Sequence, residues 1–103
     1  MSKVLIRYTV RPGEVRENIR LLAAFFEELR SINPPNLSYE TYVMEDGLTF
    51  VNIVDSATGA SAFRDLASYR RHRDTVAARC SSPPEMVALT EIGSYVVAEG
   101  DGL

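Results

Sequence analysis

Apolar side chains recur along this chain in two rhythms. From Lys3 to Val10 they alternate, so that Val4, Ile6, Tyr8 and Val10 share one face of an extended segment and Leu5, Arg7 and Thr9 share the other. These residues are largely β-branched, aliphatic or aromatic, which suits a pleated strand. The first face is wholly apolar and the second mixed. A sheet covered on both sides has this pattern, and so does one covered by helices on one face and by a partner on the other. Arg11-Pro12-Gly13-Glu14 then turns the chain. From about Glu14 to Ser31 the period becomes helical. Val15, Ile19, Leu22, Phe26 and Leu29 form a stripe with 4, 3, 4, 3 spacing, widened by Leu21, Phe25 and Ile32. Asn33-Pro34-Pro35-Asn36 stops this helix, because proline lacks the amide proton and disfavours helix in the residue before it.

Alternation returns from Leu37 to Asp55. Leu37, Tyr39, Thr41 and Val43 alternate with Ser38, Glu40, Tyr42 and Met44, and Phe50, Asn52 and Val54 alternate with Val51, Ile53 and Asp55. Asp46-Gly47 between the two runs predicts a hairpin closed by a two-residue turn. The register of that hairpin sends Tyr42, Val51 and Ile53 to one face and Tyr39, Phe50 and Asn52 to the other. Ser56-Ala57-Thr58-Gly59 is a break, and Thr58 or Ser61 is a candidate cap for a second helix from about Ala60 to Arg79. The apolar face of that helix shifts near Ser68-Tyr69, which predicts a bend or register change there. Ser81-Ser82-Pro83-Pro84 ends it. Glu85 to Leu89 fits either a short turn or a strand start. Ile92 to Val97 is predicted as the last strand, and Glu99 to Leu103 as a frayed tail.

The resulting order, βαββαβ, is the ferredoxin-like arrangement. Right-handed crossovers would place both helices on one face of a four-stranded antiparallel sheet. The other face would be left uncovered and partly apolar, which predicts a homodimer through the sheet face. The 103 residues are expected to form a single domain, 1–103. A net charge of −3 and a pI near 5.1 argue against nucleic acid as the main partner. An RNA-binding module shares the strand order, but it expects basic and aromatic residues on the sheet face, and Thr49 to Val54 lacks the glycine-aromatic pattern. The single cysteine, Cys80, rules out an internal disulfide and a cysteine-cluster metal site, and fits a reducing, cytoplasmic location. The N-terminal apolar run is too short for a signal peptide, and no stretch is long enough to span a bilayer, so no membrane association is expected.

His72 is the only histidine, and its ordinary pKa lies closest to neutrality of all the side chains. It could act as a general base on a phenol or bond an oxygenated intermediate. The alternative is a partly exposed helix histidine among Arg70, Arg71 and Arg73, whose charges would keep it neutral. Asn52 lies mid-strand among apolar residues. Facing the helices, it would need buried partners, and a substrate carbonyl would serve. Facing out, it would be a solvent or dimer amide. Tyr8, Tyr39, Tyr42, Tyr69 and Tyr95 offer rings for a flat aromatic ligand, although strand tyrosines more often serve packing.

Two stretches carry a family resemblance. Val10-Arg11-Pro12-Gly13-Glu14 leads into a long helix, and Leu37-Ser38-Tyr39-Glu40 follows a Pro-Pro break. With Pro83-Pro84-Glu85-Met86-Val87 before the final strand, the chain resembles the antibiotic biosynthesis monooxygenase type of dimeric α+β barrel over nearly its whole length. The resemblance implies a small homodimer that oxidises a phenolic, quinol or polycyclic aromatic compound with dioxygen, with no cofactor and no metal. It also implies a pocket between the sheet and the helices of one protomer. His72 and Asn52 are then the candidate catalytic residues, and Tyr8, Tyr42, Tyr69 and Phe26 the candidate substrate-binding ones. The chain departs from the pattern in two places. It reads Ser68-Tyr69-Arg70 where many relatives have Ser-Pro-His, and it has no tryptophan in the strand containing Asn52. These departures favour the alternative, a non-catalytic small-molecule-binding or sensing protein on the same fold.

Overall fold

A computed structural model describes residues 2–97. Four strands form one antiparallel sheet: β1 (Ser2–Thr9), β2 (Leu37–Val43), β3 (Thr49–Ser56) and β4 (Glu85–Leu89), in the spatial order β2-β3-β1-β4. Helices α1 (Val15–Ile32) and α2 (Ala67–Arg79) cover one face. This is the ferredoxin-like α+β fold expected from the pattern.

Register assigns the faces. Val4 pairs with Val54, Ile6 with Asn52 and Tyr8 with Phe50, while Tyr39 pairs with Val54 and Thr41 with Asn52. These residues lie under the helices. Leu5, Val51, Ile53, Tyr42, Val87 and Leu89 lie on the opposite face, as do Arg7 and Thr9. The hairpin partition expected from the sequence is therefore correct. Its turn is longer than two residues. Met44 still bonds Thr49, so four residues, Glu45 to Leu48, form the loop, and only Gly47 has positive φ (69°). Asp46 closes the loop. Its carboxylate accepts from the backbone N–H groups of Leu48 and Thr49 and from the Thr49 hydroxyl, all within 2.8 Å.

The stripe of α1 is rotated from the expected one. Asn18, Leu21, Leu22, Phe25 and Leu29 are buried, whereas Ile19 and Ile32 are each 50% exposed. Phe25 is the hub of an aromatic cluster, with Tyr39 at 4.9 Å and Tyr69 at 5.5 Å between ring centroids.

The second helix is shorter than its pattern suggested. Gly59–Ala62 form a separate 3-10 turn and α2 begins only at Ala67, so the break precedes the expected Ser68-Tyr69 bend. Neither Thr58 nor Ser61 caps α2. Instead Glu28, reaching across from α1, accepts hydrogen bonds from the Ser68 backbone N–H and hydroxyl, which hold its carboxyl below its usual pKa.

The largest correction concerns the last strand. Residues 85–89, not 92–97, form β4. At the end of α2, Cys80 bridges Val10, and Ser81 N–H donates to the Thr9 carbonyl at 2.9 Å. The chain thus arrives at the end of β1, and the next residues run antiparallel along its free edge. By Leu89, opposite Lys3, that edge is used up. Residues 92–97 have strand propensity but lie beyond the β1 edge and pair with none of the described strands, and Ile92 is 94% exposed. The predicted tail, Glu99 to Leu103, lies outside the described residues.

Candidate functional site

A cleft runs between α2 and the helix-facing side of β1, β3 and β4. One chamber, of about 190 Å³, is lined by Ile6, Tyr8, Tyr39, Asn52, Tyr69, His72, Arg73, Val76, Pro84 and Met86. A second, also about 190 Å³, shares Ile6, Tyr39, Tyr69 and Met86 with it and extends toward Val54 and Phe63. The shared walls make one largely apolar, aromatic trough whose polar side chains gather mainly at the His72 end, with Ser56 at the other. Met86 on edge strand β4 is 70% exposed, so the trough opens on that side.

The polar end is built by α2. Buried positions of this helix are Ser68, His72 and Arg79, with Val76 half-buried between them, all at helical spacing. The helix thus turns polar groups inward, and an apolar stripe could not have marked its buried face. His72 is buried, and its Nε2 lies 3.2 Å from Tyr8 Oη. Asn18 Nδ2 donates to that same hydroxyl at 3.0 Å. Arg79 Nε in turn donates to Asn18 Oδ1 at 3.1 Å, its other nitrogens donating to Thr75 Oγ1 and the His72 carbonyl. Among the described residues no carboxylate pairs with Arg79. Asn52 is buried on β3, where Oδ1 accepts from Thr41 Oγ1 at 2.8 Å.

Burial, and secondarily the Arg79 charge, pushes the His72 pKa down to about 4, so the imidazole is neutral at physiological pH. The cause is not the flanking arginines. Arg70 pairs with Asp65 at 2.9 Å and Arg73 approaches Asp74 at 3.9 Å, both in exposed positions. Burial also pushes the Tyr8 hydroxyl up to about 12 and raises the Tyr39 hydroxyl further, so both stay protonated.

The cleft therefore brings together four of the sequence-predicted residues: His72, Asn52, Tyr8 and Tyr69. It leaves out two. Tyr42 is on the outer sheet face and 53% exposed, because its register places it opposite Val51. Phe26 is half-buried and packs against Phe25 and Tyr39 behind the cleft wall. Sequence reasoning missed Asn18, Arg79, Tyr39 as a wall, and Met86. Asn18 carried a signal, since it precedes Leu22, Phe25 and Leu29 by 4, 7 and 11 residues and so shares their helix face. Arg79 carried none, because nothing in the sequence marks an arginine for burial.

Among the described residues no cluster of three or more His, Cys, Asp or Glu could hold a metal ion. No helix among them is long and apolar enough to cross a membrane.

No family model matches this chain, and no curated protein sequence matches it either. Solved structures do. A crystal structure of an antibiotic biosynthesis monooxygenase superimposes with a TM-score of 0.75 at 16% identity, covering 90% of this chain and 100% of the other. A candidate antibiotic biosynthesis monooxygenase from Nitrosomonas europaea gives 0.71 at 20% identity, covering 88% and 89%. Rv0793 from Mycobacterium tuberculosis gives 0.68 at 23% identity, covering 92% and 98%. Sheet order, helix placement and these superpositions agree: the chain has the antibiotic biosynthesis monooxygenase-like fold, the one its sequence resembles.

Proposed function

We propose that this protein is a small cofactor-independent monooxygenase acting on a phenolic, quinol or polycyclic aromatic compound in the cleft under α2. The observation that carries the reading is convergence. His72, Asn52 and Tyr8, far apart in sequence, meet at the polar end of one trough walled by Tyr39, Tyr69 and Met86. A flat aromatic body suits the walls, and its oxygen suits the polar end. The antibiotic biosynthesis monooxygenases that share the fold support the reaction class. Loss of a proton from such a substrate gives an electron-rich anion that can reduce dioxygen. For an anthrone, one oxygen atom enters the ring carbon and the other leaves as water.

The proposal includes a two-fold dimer through the outer sheet face. Leu5, Tyr42, Val51, Ile53, Val87 and Leu89 form an apolar patch there that none of the described elements covers. A cytoplasmic location, consistent with the lone thiol of Cys80, belongs to the same reading.

One observation favours the alternative of a non-catalytic binding protein. His72 is a weak base, and Tyr8 already occupies its Nε2. Oxygen uptake on a panel of hydroquinones and anthrones separates the two. The catalytic reading expects uptake above the uncatalysed rate that His72→Ala reduces. Tight binding with no uptake on any compound selects the binding protein, and uptake indifferent to His72→Ala refutes the assigned site.

A further inference from the structure

Hydrogen bonds at the polar end of the cleft run in one direction. Arg79, 5% exposed, can only donate, and its Nε takes Asn18 Oδ1. This turns the amide so that Nδ2 donates to Tyr8 Oη. The hydroxyl, accepting there, has its own proton to donate, and the acceptor within reach among the described residues is His72 Nε2 at 3.2 Å. A ring nitrogen that accepts carries no proton, so the neutral imidazole holds its proton on Nδ1. Nδ1 has no protein partner among the described residues, and the ring lines the cleft. Asn52 is oriented alike. Thr41 donates to its Oδ1, which leaves the Nδ2 donors without a protein partner among the described residues, on a side chain 3% exposed that lines the same cleft.

We propose that the cleft recognises an aromatic ligand through an oxygen that carries no proton, a ketone or quinone carbonyl or the corresponding oxyanion, held between His72 Nδ1–H and Asn52 Nδ2–H. Arg79, Asn18 and Tyr8 are positioning residues that fix His72 as a donor. The inference rests on the cleft being the ligand site proposed above, and it gives His72 a different task there. The ring stabilises a ligand oxyanion and does not remove the proton. The buried guanidinium three side chains away, in ion-pair contact with no carboxylate among the described residues although partly exposed Glu17 senses its charge, favours negative charge at that position.

Asn18→Asp reverses the chain of donors. The introduced carboxylate accepts from both Arg79 and Tyr8 Oη, so the hydroxyl proton turns away from His72. Its Nε2 must then donate to Oη, which leaves a lone pair on Nδ1. Nitrogen NMR of the His72 ring is expected to show Nδ1 protonated in the wild type and Nε2 protonated in the variant. Fluorenone, which only accepts, and 9-hydroxyfluorene, which also donates, are titrated into both proteins. Fluorenone affinity is expected to fall at least about tenfold in the variant, since two lone pairs then face each other. Hydroxyfluorene affinity is expected to change by less than about threefold. A wild-type ring protonated on Nε2, or equal changes for both ligands, overturns the proposal. Binding of neither ligand to the wild type overturns the ligand-site reading and this proposal together, whereas binding without a ligand-dependent shift overturns this proposal alone. If Asn18→Asp does not fold, Tyr8→Phe removes the group that holds Nε2 and is expected to give a mixture of tautomers. A ring unchanged by Tyr8→Phe overturns the relay.

Discussion

Asn18→Leu is the sharpest test of how the buried polar network is held. Asn18 is fully buried and joins two groups: it accepts from Arg79 Nε and donates to Tyr8 Oη. Leucine has the same number of side-chain heavy atoms in a similar branched outline but is bulkier, so the substitution opens no cavity and adds some crowding. It instead strands a buried guanidinium N–H and withdraws a donor from a buried hydroxyl. Leaving a buried charged donor without one of its partners costs about 3 kcal/mol, at the upper end for an unsatisfied polar group, because the N–H stays dehydrated. A domain of this size has only about 5–15 kcal/mol of stability in total. With an m-value of about 2 kcal/mol/M, a loss of about 3 kcal/mol lowers the urea midpoint by about 1.5 M. The second half of the cycle is Arg79→Met. Removing the charge as well leaves no stranded cation, while Tyr8 keeps its bond to His72 and exposed Thr75 can turn to water. The double variant is therefore expected to be more stable than Asn18→Leu alone, by about 2 kcal/mol. Urea unfolding of the wild type, both single variants and the double variant measures the coupling. A single variant losing less than about 1 kcal/mol, or a double variant showing the sum of the two losses, refutes the account.

Two further outcomes follow from the same structure. Stability should fall as pH drops from about 6.5 to about 4, because the unfolded chain protonates its histidine at the ordinary value while folded His72, pushed down to about 4, does not. At roughly 1.4 kcal/mol per pH unit the loss approaches about 3 kcal/mol, all of it absent above pH 7; a wild-type slope between pH 6.5 and 5 equal to that of His72→Gln would exclude it. Val87→Lys, on the exposed outer face of edge strand β4, should dissociate the proposed dimer in sedimentation while leaving the far-UV spectrum unchanged; a wild-type chain already monomeric at high micromolar concentration removes the dimer.

Much of the fold was legible because it depends on local periodicity. Alternation marked β1, β2 and β3, the Pro-Pro break ended α1 at its proper place, and the hairpin partition assigned the inner and outer faces. The departures occurred where neighbours in space overruled local preference. Ile92 to Val97 has the better strand composition, yet Glu85 to Leu89 became β4 because the Val10–Cys80 bridge delivers the chain to the free edge of β1 five residues earlier. Strand propensity needs a partner edge within reach, and by residue 92 the β1 edge was already taken by Glu85 to Leu89.

The candidate site divides in the same way. The sequence by itself determined which chemistry was available: one histidine, one mid-strand asparagine, and tyrosines on alternating strand positions. Only the tertiary structure decided that His72, Asn52, Tyr8 and Tyr69 share a cleft while Tyr42 faces away and Phe26 supports the wall from behind. It also decided the character of α2, whose inward face is Ser68, His72, Val76 and Arg79. Hydrophobic periodicity finds a helix face buried among apolar groups. It cannot find one whose burial is sustained by hydrogen bonds to residues 40, 61 and 64 positions away, because those bonds exist only after the chain has folded.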